Sequence, residues 1–446
     1  MKNKFNIISL LNKLRRNPTV INIITVGTIA IVVKGFGFFK EIVVAETFGL
    51  SELLDTFFIA ALVPGFVNEV FLNAFKSVFI PNYIAEQKSK NKTRSFQSTS
   101  FLVTIFVALF FMGVAYLFTD VYLETFFKGH TVAYYNLVKI QFYYLLPCII
   151  FWGLSSLLSG LLNIYNEFRY SSIYPVITSI SIVVCLFFYH DVLNEKVLAV
   201  GLLIGCIAEF LFLLSIALYK KIITIGIPDF FAENTKTMFR QVPAKVSSGF
   251  LTGLIPLTDQ FFSAQLIIGS IAALNYGLKI PAFFTSIIIL ALGNVLLPYF
   301  SNLSIDNRNE AFNKLYYILK RLFFGLVIIS ILLILFSDVI IEFIFERDAF
   351  SSDDTNVVAN VQRMFLIGVP FTICGNIIVR FLTSINKNSF MAYVSLGGML
   401  LNIVLDFILM RFYGIMGIAL CTAILQILRS IILLNYTTKQ NKIVAK

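Results

Sequence analysis

Long runs without a charge set the limits on what this chain can fold into. Phe101–Phe118, Ile173–Phe188, Val197–Tyr219 and Leu322–Phe336 are each nearly free of Asp, Glu, Lys and Arg. A helix crosses the hydrocarbon layer with about 20 predominantly apolar residues, so each run reads as a membrane span or the core of one. Only 13% of the 446 residues are charged, about half the share of an ordinary soluble domain, and 58% are hydrophobic. The mean hydropathy of +0.86 excludes a soluble enzyme fold. Twelve spans follow, at 19–46, 53–83, 98–119, 132–164, 171–189, 196–219, 240–268, 271–302, 313–345, 360–384, 389–411 and 414–437.

The loops between these spans alternate in charge. One set holds Lys2, Lys4, Lys13, Arg15 and Arg16, then Lys88, Lys90, Lys92, Arg94 and Arg169. It continues with Lys220, Lys221, Lys236 and Arg240, then Arg308, Lys314 and Lys387, and ends with Lys439, Lys442 and Lys446. The other set holds little beyond Lys128, Lys196, Arg347, Arg363 and Arg411. Lys and Arg accumulate on the cytoplasmic side, so both termini are expected there and the number of spans is even. The net charge of +11 is therefore topogenic and does not indicate nucleic acid. No small-residue cleavage site follows the first apolar run convincingly, so an uncleaved first span is expected.

The second span ends Val78-Phe79-Ile80-Pro81-Asn82-Tyr83 and the eighth ends Val295-Leu296-Leu297-Pro298-Tyr299-Phe300. Spans four and ten carry Pro147 and Pro370 and end near Asn166 and Asn386. With six spans per half, such repeats are parallel, related by an axis along the membrane normal. The expected fold is all-α: a polytopic membrane protein of about twelve transmembrane helices in two six-helix halves, 1–220 and 221–446, around a central cavity. Alternating access is the natural use of that plan.

Ionisable residues inside spans are costly, about 2.5–3.5 kcal/mol each when left facing lipid at mid-membrane. Lys34, Lys40 and Glu41 interrupt the first span beside Gly35 and Gly37, which are expected to let it bend or unwind. Glu69 lies in the second span between Asn68 and Asn73, and Glu209, Asp259, Lys279 and Asp406 lie in later ones. Lys34, Lys40 and Lys279 suit a cationic cavity receiving a phosphate-bearing head group, with Glu41 and Glu69 neutralising them. The alternative is pairing with a neighbouring acid, or snorkelling to the interface. Asn402 and Asp406, four apart, share a helix face, and Asp259 and Thr422 would complete an oxygen cage for a cation such as sodium. The alternative there is an Asn–Asp pair that only bridges helices.

Other chemistry is not indicated. The five cysteines lie inside apolar blocks at no metal-ligand spacing, and the two histidines, His130 and His190, fall in different loops. No phosphate-cradling Gly-rich loop appears, and the short polar loops leave no room for a catalytic domain. A transporter, not an enzyme, is expected.

The stretch Gly37-Phe38-Phe39-Lys40-Glu41-Ile42-Val43-Val44-Ala45-Glu46-Thr47-Phe48-Gly49, followed by Asp55-Thr56-Phe57-Phe58-Ile59-Ala60 and Phe79-Ile80-Pro81, resembles the opening of the MurJ/MviN lipid II flippases. That family belongs to the superfamily of MATE exporters and polysaccharide flippases. Leu162–Phe168, Ala291–Pro298, Phe345-Glu346-Arg347-Asp348-Ala349-Phe350 and Leu401–Asp406 extend the likeness over most of the chain, in order. The resemblance implies that Lys34, Lys40 and Glu41 stand where the family has Arg, Arg and Asp in helix one. It likens Asp55 to the acid opening helix two and Lys279 to a cavity Arg of helix eight. Asp259, Asn402, Asp406 and Thr422 look like the sodium ligands of some members, so a sodium ion is the one cofactor implied.

Three departures accompany the likeness. Asn68 and Glu69 stand where the family has two adjacent arginines, the cavity arginines are lysines, and the sequence ends after span twelve where the family usually has fourteen helices. The implied partner is a polyprenyl-pyrophosphate-linked glycan in the bilayer of a bacterial cytoplasmic membrane. The departures suit a related branch that moves undecaprenyl-pyrophosphate-linked repeat units for a surface polysaccharide, with lipid II the other substrate the resemblance implies. A MATE-type exporter of organic cations is the rival, sustained by Glu41, Glu69 and Asp259.

Overall fold

The computed structural model describes the backbone of residues 18–89, 93–127, 129–385, 387 and 389–444. The N-terminal cations up to Arg16, with Lys90, Lys92, Lys128, Asn386 and Lys446, lie outside the described residues. Twelve long helices run in order: α1 (Pro18–Phe48), α2 (Glu52–Lys88), α3 (Thr93–Leu117), α4 (Val132–Ile164), α5 (Pro175–Leu193) and α6 (Val197–Tyr219). Then come α7 (Glu233–Ser263), α8 (Ser270–Asp306), α9 (Arg308–Leu335), α10 (Ser352–Ser384), α11 (Ser389–Tyr413) and α12 (Ile415–Val444). Among the described residues nine stretches are long and apolar enough to cross a membrane, one of them, Pro175–Tyr219, holding both α5 and α6. The two long helices outside that set are α1, which carries Lys34, Lys40 and Glu41, and α7, which carries Glu233, Lys236, Arg240 and Lys245.

Two expectations are corrected. The first span does not unwind, because α1 runs unbroken through Gly35 and Gly37. Backbone groups freed at a break would find no partner in hydrocarbon, which outweighs the roughly 1 kcal/mol that a helical glycine costs. The ninth span, expected as 313–345, is two helices. α9 ends at Leu335, Phe336 leaves the helical region (φ −98°, ψ 12°), and a short helix covers Ser337–Phe345.

That break recurs in the first half. α3 ends at Leu117, Phe118 adopts φ −100° and ψ 12°, and a short helix covers Thr119–Phe126. Leu117-Phe118-Thr119-Asp120-Val121 matches Leu335-Phe336-Ser337-Asp338-Val339 residue for residue, Thr against Ser included. In each copy the acid pairs with a base on the next long helix, Asp120 with Lys139 at 2.5 Å and Asp338 with Arg363. Thr119, Leu123 and Phe127 are buried in one copy, and Ser337, Ile341 and Phe345 in the other. Both follow the third helix of a half, so both lie at the same face of the membrane, as parallel repeats require.

The chain forms two compact units, one of residues 1–41, 63–117 and 140–246, the other of 42–62, 118–139 and 247–446. The expected halves differ from these in their membership: 42–62 and 118–139 group with the C-terminal residues, and 221–246 with the N-terminal ones. α2 changes unit between residues 62 and 63, and it is weakened there. Pro64 removes one ladder bond, and Asn68–Leu72 form a π turn.

In the first unit Phe79, Tyr83, Phe96, Leu158, Leu161 and Leu213 pack α2, α3, α4 and α6 together. The polar start of α3 has a separate task. Gln97 accepts from the Thr224 amide at 2.8 Å and donates to the Ile222 carbonyl at 3.1 Å, while Ser98 and Thr99 accept from the amides of Gly226 and Asp229. The extended connection from α6 to α7 thus spends its hydrogen bonds on α3.

In the second unit Phe300, Phe312, Leu366, Phe381 and Leu433 join α8, α9, α10 and α12, with α10 opened by a capping box of Ser351 and Asp354. The last turn of α1 also belongs here. Gly49 ends the helix in the left-handed region (φ +53°), and a Cβ there would lie 2.2 Å from the Ala349 carbonyl oxygen. The Ala349 amide donates to the Glu46 carbonyl at 3.1 Å, so the Phe345–Phe350 turn closes onto the end of α1. Gly49→Ala is expected to cost about 1–3 kcal/mol through both the left-handed φ and the clash. Thermal unfolding in detergent reads this as a lowered midpoint, and an unchanged midpoint refutes the docking.

Candidate functional site

Three helices of the second unit bring together the oxygen ligands expected from the sequence. Asp259 sits in the last turns of α7, Asn402 and Asp406 are one turn apart on α11, and Thr422 is on α12. Asn402 Nδ2 donates to Asp259 Oδ1 and to Asp406 Oδ2, both at 3.0 Å, and Thr422 Oγ1 donates to Asp259 Oδ2 at 3.2 Å. Asn402 and Asp406 are 0% exposed and Asp259 9%. The two carboxyls lie within hydrogen-bonding reach of each other.

Two oxygens in this cluster, Asn402 Oδ1 and Asp406 Oδ1, are buried without a hydrogen-bond partner. Buried acceptors are normally satisfied, so this pair marks a place for a ligand that needs oxygen atoms. Two carboxyls, an amide and a hydroxyl form a hard, all-oxygen donor set, which suits an alkali or alkaline-earth cation and not a thiophilic metal. Among the described residues no group of three or more His, Cys, Asp or Glu is placed to hold a metal ion, so any cation here would depend on two acids and neutral oxygens. Two carboxylates side by side in a dry site need a cation or a proton between them, since like charges at this range cannot both ionise unaided. Cys421, read from the sequence as a core residue, packs on Asn402 with its Sγ 3.7 Å from the Asn402 carbonyl. Nothing in its spacing signals that neighbour.

The head-group residues are distributed over both units. Lys34 is exposed on α1, and Lys40, half-buried, pairs with Glu41 at 2.5 Å. Glu69 is exposed at the π turn of α2 and accepts from Asn73 Nδ2 at 3.2 Å. These four belong to the first unit, and Lys279, half-buried on α8, belongs to the second.

Asp55, expected on the substrate, is placed differently. It is 3% exposed, and its two oxygens accept from the Gly269 amide at 2.7 Å and the Ala272 amide at 2.8 Å. It therefore caps the first turn of α8, satisfying two of the amides that a helix start leaves without partners. The negative charge also opposes the positive end of the α8 dipole. The reason is local, because Asp55 lies in the first turn of α2 and Gly269 turns the chain into α8 with φ +90°.

The family described as lipid II flippase MurJ matches residues 44–446. The chain belongs to the MurJ family. A probable lipid II flippase MurJ of Buchnera aphidicola from Schizaphis graminum is 27% identical over 420 residues, covering 90% of this chain and 80% of the relative. The lipid II flippase MurJ of Thermosipho africanus is 28% identical over 404 residues, covering 89% and 81%. A solved lipid II flippase MurJ in an inward closed conformation superposes with a TM-score of 0.81 at 25% identity, covering 93% of this chain and 87% of that one. An inward-facing multidrug resistance MATE transporter reaches 0.79 at 12% identity, covering 94% and 99%, which shows a shared fold alone.

Asn68 and Glu69, the departures from the family read in the sequence, stand on the π turn. Of the two groups of residues, the oxygen cluster is the better defined. Asn402→Ala, which removes the donor shared by both carboxyls, is expected to destabilise the protein by about 1–3 kcal/mol. A thermal midpoint equal to that of the unaltered protein would mean that the amide holds nothing.

Proposed function

We propose that this MurJ-family protein translocates an undecaprenyl-pyrophosphate-linked glycan precursor, with lipid II the leading substrate, across a bacterial cytoplasmic membrane by alternating access. The family match over residues 44–446 carries the reading. The intramembrane cations support it, since a pyrophosphate is the partner that makes their insertion worthwhile. Lys34, Lys40 and Lys279 receive the pyrophosphate, and Glu41 holds Lys40 in place until the substrate arrives. As compact ammonium groups they attract phosphate without the bidentate geometry of arginine, which suits a substrate that must leave again. Both termini lie in the cytoplasm, on the loop-charge argument.

Asp55 and the weakened stretch of α2 supply the moving parts. Within the second unit the Asp55 carboxylate meets the start of α8, and the Phe345–Phe350 turn meets the end of α1. Moving the start of α2 away from α8 breaks two hydrogen bonds, and Pro64 with the π turn lets α2 bend.

Asp259, Asn402, Asp406 and Thr422 hold a cation, and sodium is the one proposed. Bound there, it supplies positive charge to the two carboxyls and a partner to the orphaned oxygens. An ion drives a conformational change only through its different affinity for the two states. A second substrate, a surface-polysaccharide repeat unit on the same lipid, is favoured by Glu69 replacing a family arginine, because a different glycan contacts that position. The organic-cation exporter is the weaker reading, supported by fold alone.

Translocation of fluorescent lipid II in proteoliposomes tests the head-group assignment. Lys40→Ala and Lys279→Ala are each expected to slow it about tenfold or more, the size of one lost charge-assisted contact. Unchanged rates remove both lysines from the site. For the ion, sodium in place of choline at equal ionic strength is expected to raise the thermal midpoint. The gain is about 2.7 kcal/mol at a hundredfold excess over the dissociation constant, and it disappears in Asp406→Asn. A midpoint indifferent to sodium rejects the site.

A further inference from the structure

Glu209 takes no part in the sites described so far. It lies near the middle of α6, the sixth helix of the first half, and is 5% exposed. Its Oε1 accepts a hydrogen bond from Thr178 Oγ1 of α5 at 2.6 Å. The helices approach this closely because residue 205 is glycine, where a Cβ would lie 2.7 Å from Thr178 Cα.

The surroundings of Glu209 come from four helices of the first unit. Tyr174, just before α5, lies within electrostatic range of Glu209. Lys76 of α2 donates to Ser159 Oγ of α4 at 3.3 Å in the same unit. Cys206, one turn away on α6, lies near Cys148 and Trp152 of α4. Glu209 is thus a buried acid with Thr178 as its own hydroxyl donor.

A carboxyl at this depth is poorly explained by packing. A neutral side chain would join α5 to α6 as well and would enter the membrane at several kcal/mol less cost. What an acid adds is the ability to gain and lose a charge. We propose that Glu209, with Thr178 as its hydroxyl donor, is a proton-binding site of the first unit, separate from the oxygen cluster of the second unit. Loading places one proton on a Glu209 oxygen and takes the side chain from −1 to 0. Unloading returns that proton to water and the side chain to −1.

Trp152 is the only tryptophan in the chain, which puts a reporter beside the site. Its emission is recorded against pH on the full-length protein in nanodiscs, with the infrared carbonyl stretch of protonated carboxyls in parallel. The expected result is a one-proton transition in emission, accompanied by loss of a carbonyl band as pH rises. Glu209→Gln abolishes the transition and that band while keeping the thermal midpoint, because the amide still accepts from Thr178. Asp406→Asn leaves the emission transition in place. Persistence of the transition in Glu209→Gln, or its absence from the unaltered protein, overturns the proposal. Should Glu209→Gln fail to fold, Thr178→Val decides: a displaced midpoint of the emission transition supports the site and an unmoved one rejects it. No lipid-linked substrate enters the experiment, so its outcome does not depend on the flippase reading.

Discussion

Hydrocarbon offers no hydrogen bonds, and most of this structure follows from where the chain finds partners for its polar groups. α1 stays helical through two glycines because a break would strand backbone amides in lipid. The connection from α6 to α7 is extended, yet its amides and carbonyls are met by Ser95, Gln97, Ser98 and Thr99 on α3. Where regularity does fail, at Pro64 and the π turn of α2, the irregular stretch carries polar side chains, Asn68 and Glu69. Elsewhere a helix that opens is capped, as α8 is by Asp55 and α10 by Ser351. Regular helix is thus the default in this chain.

The same rule explains what could be read from the amino acids. The long helices and the Asn402–Asp406 pair were legible because both rest on local quantities: hydropathy over about 20 residues, and a spacing of four that puts the two side chains on one face. Asp259 and Thr422 lie on other helices, and it was the family resemblance that likened the four together to sodium ligands. Asp55 was not legible in its true role. Its partners, the amides of Gly269 and Ala272, lie more than 200 positions away, and a backbone amide leaves no trace in composition. The place of Cys421 beside Asn402 was hidden for a similar reason. The break at Phe336 was available but concealed by hydropathy, since Leu322–Phe345 is almost uniformly apolar. Aligning Leu117–Val121 with Leu335–Val339 would have revealed it, because an Asp at the same step in both halves marks the start of a new helix.

The repeat also orders the charged groups. Asp120 with Lys139 and Asp338 with Arg363 hold the two short helices by the same device, so these pairs belong to the scaffold. They sit at exposed positions, where an ion pair contributes little to stability and serves mainly to orient. The buried acids behave differently, having no counterpart at the same step of the other half. Asp55 on α2, Glu209 on α6 and Asp406 on α11 are each present in one half alone.

The last pair of helices in each half shows how far that divergence has gone. In the first half the fifth helix supplies a hydroxyl, Thr178, and the sixth an acid, Glu209. In the second half the fifth helix supplies the acid and amide, Asp406 and Asn402, and the sixth the hydroxyl, Thr422, with Asp259 of α7 as the added member. A single acid with a hydroxyl donor has the charge to bind one proton and too few oxygens to enclose a metal ion. Two acids with an amide and a hydroxyl have both the charge and the oxygens for a cation. To the same acid and hydroxyl the second cluster adds two groups, the Asn402 amide on α11 and the Asp259 carboxyl from α7.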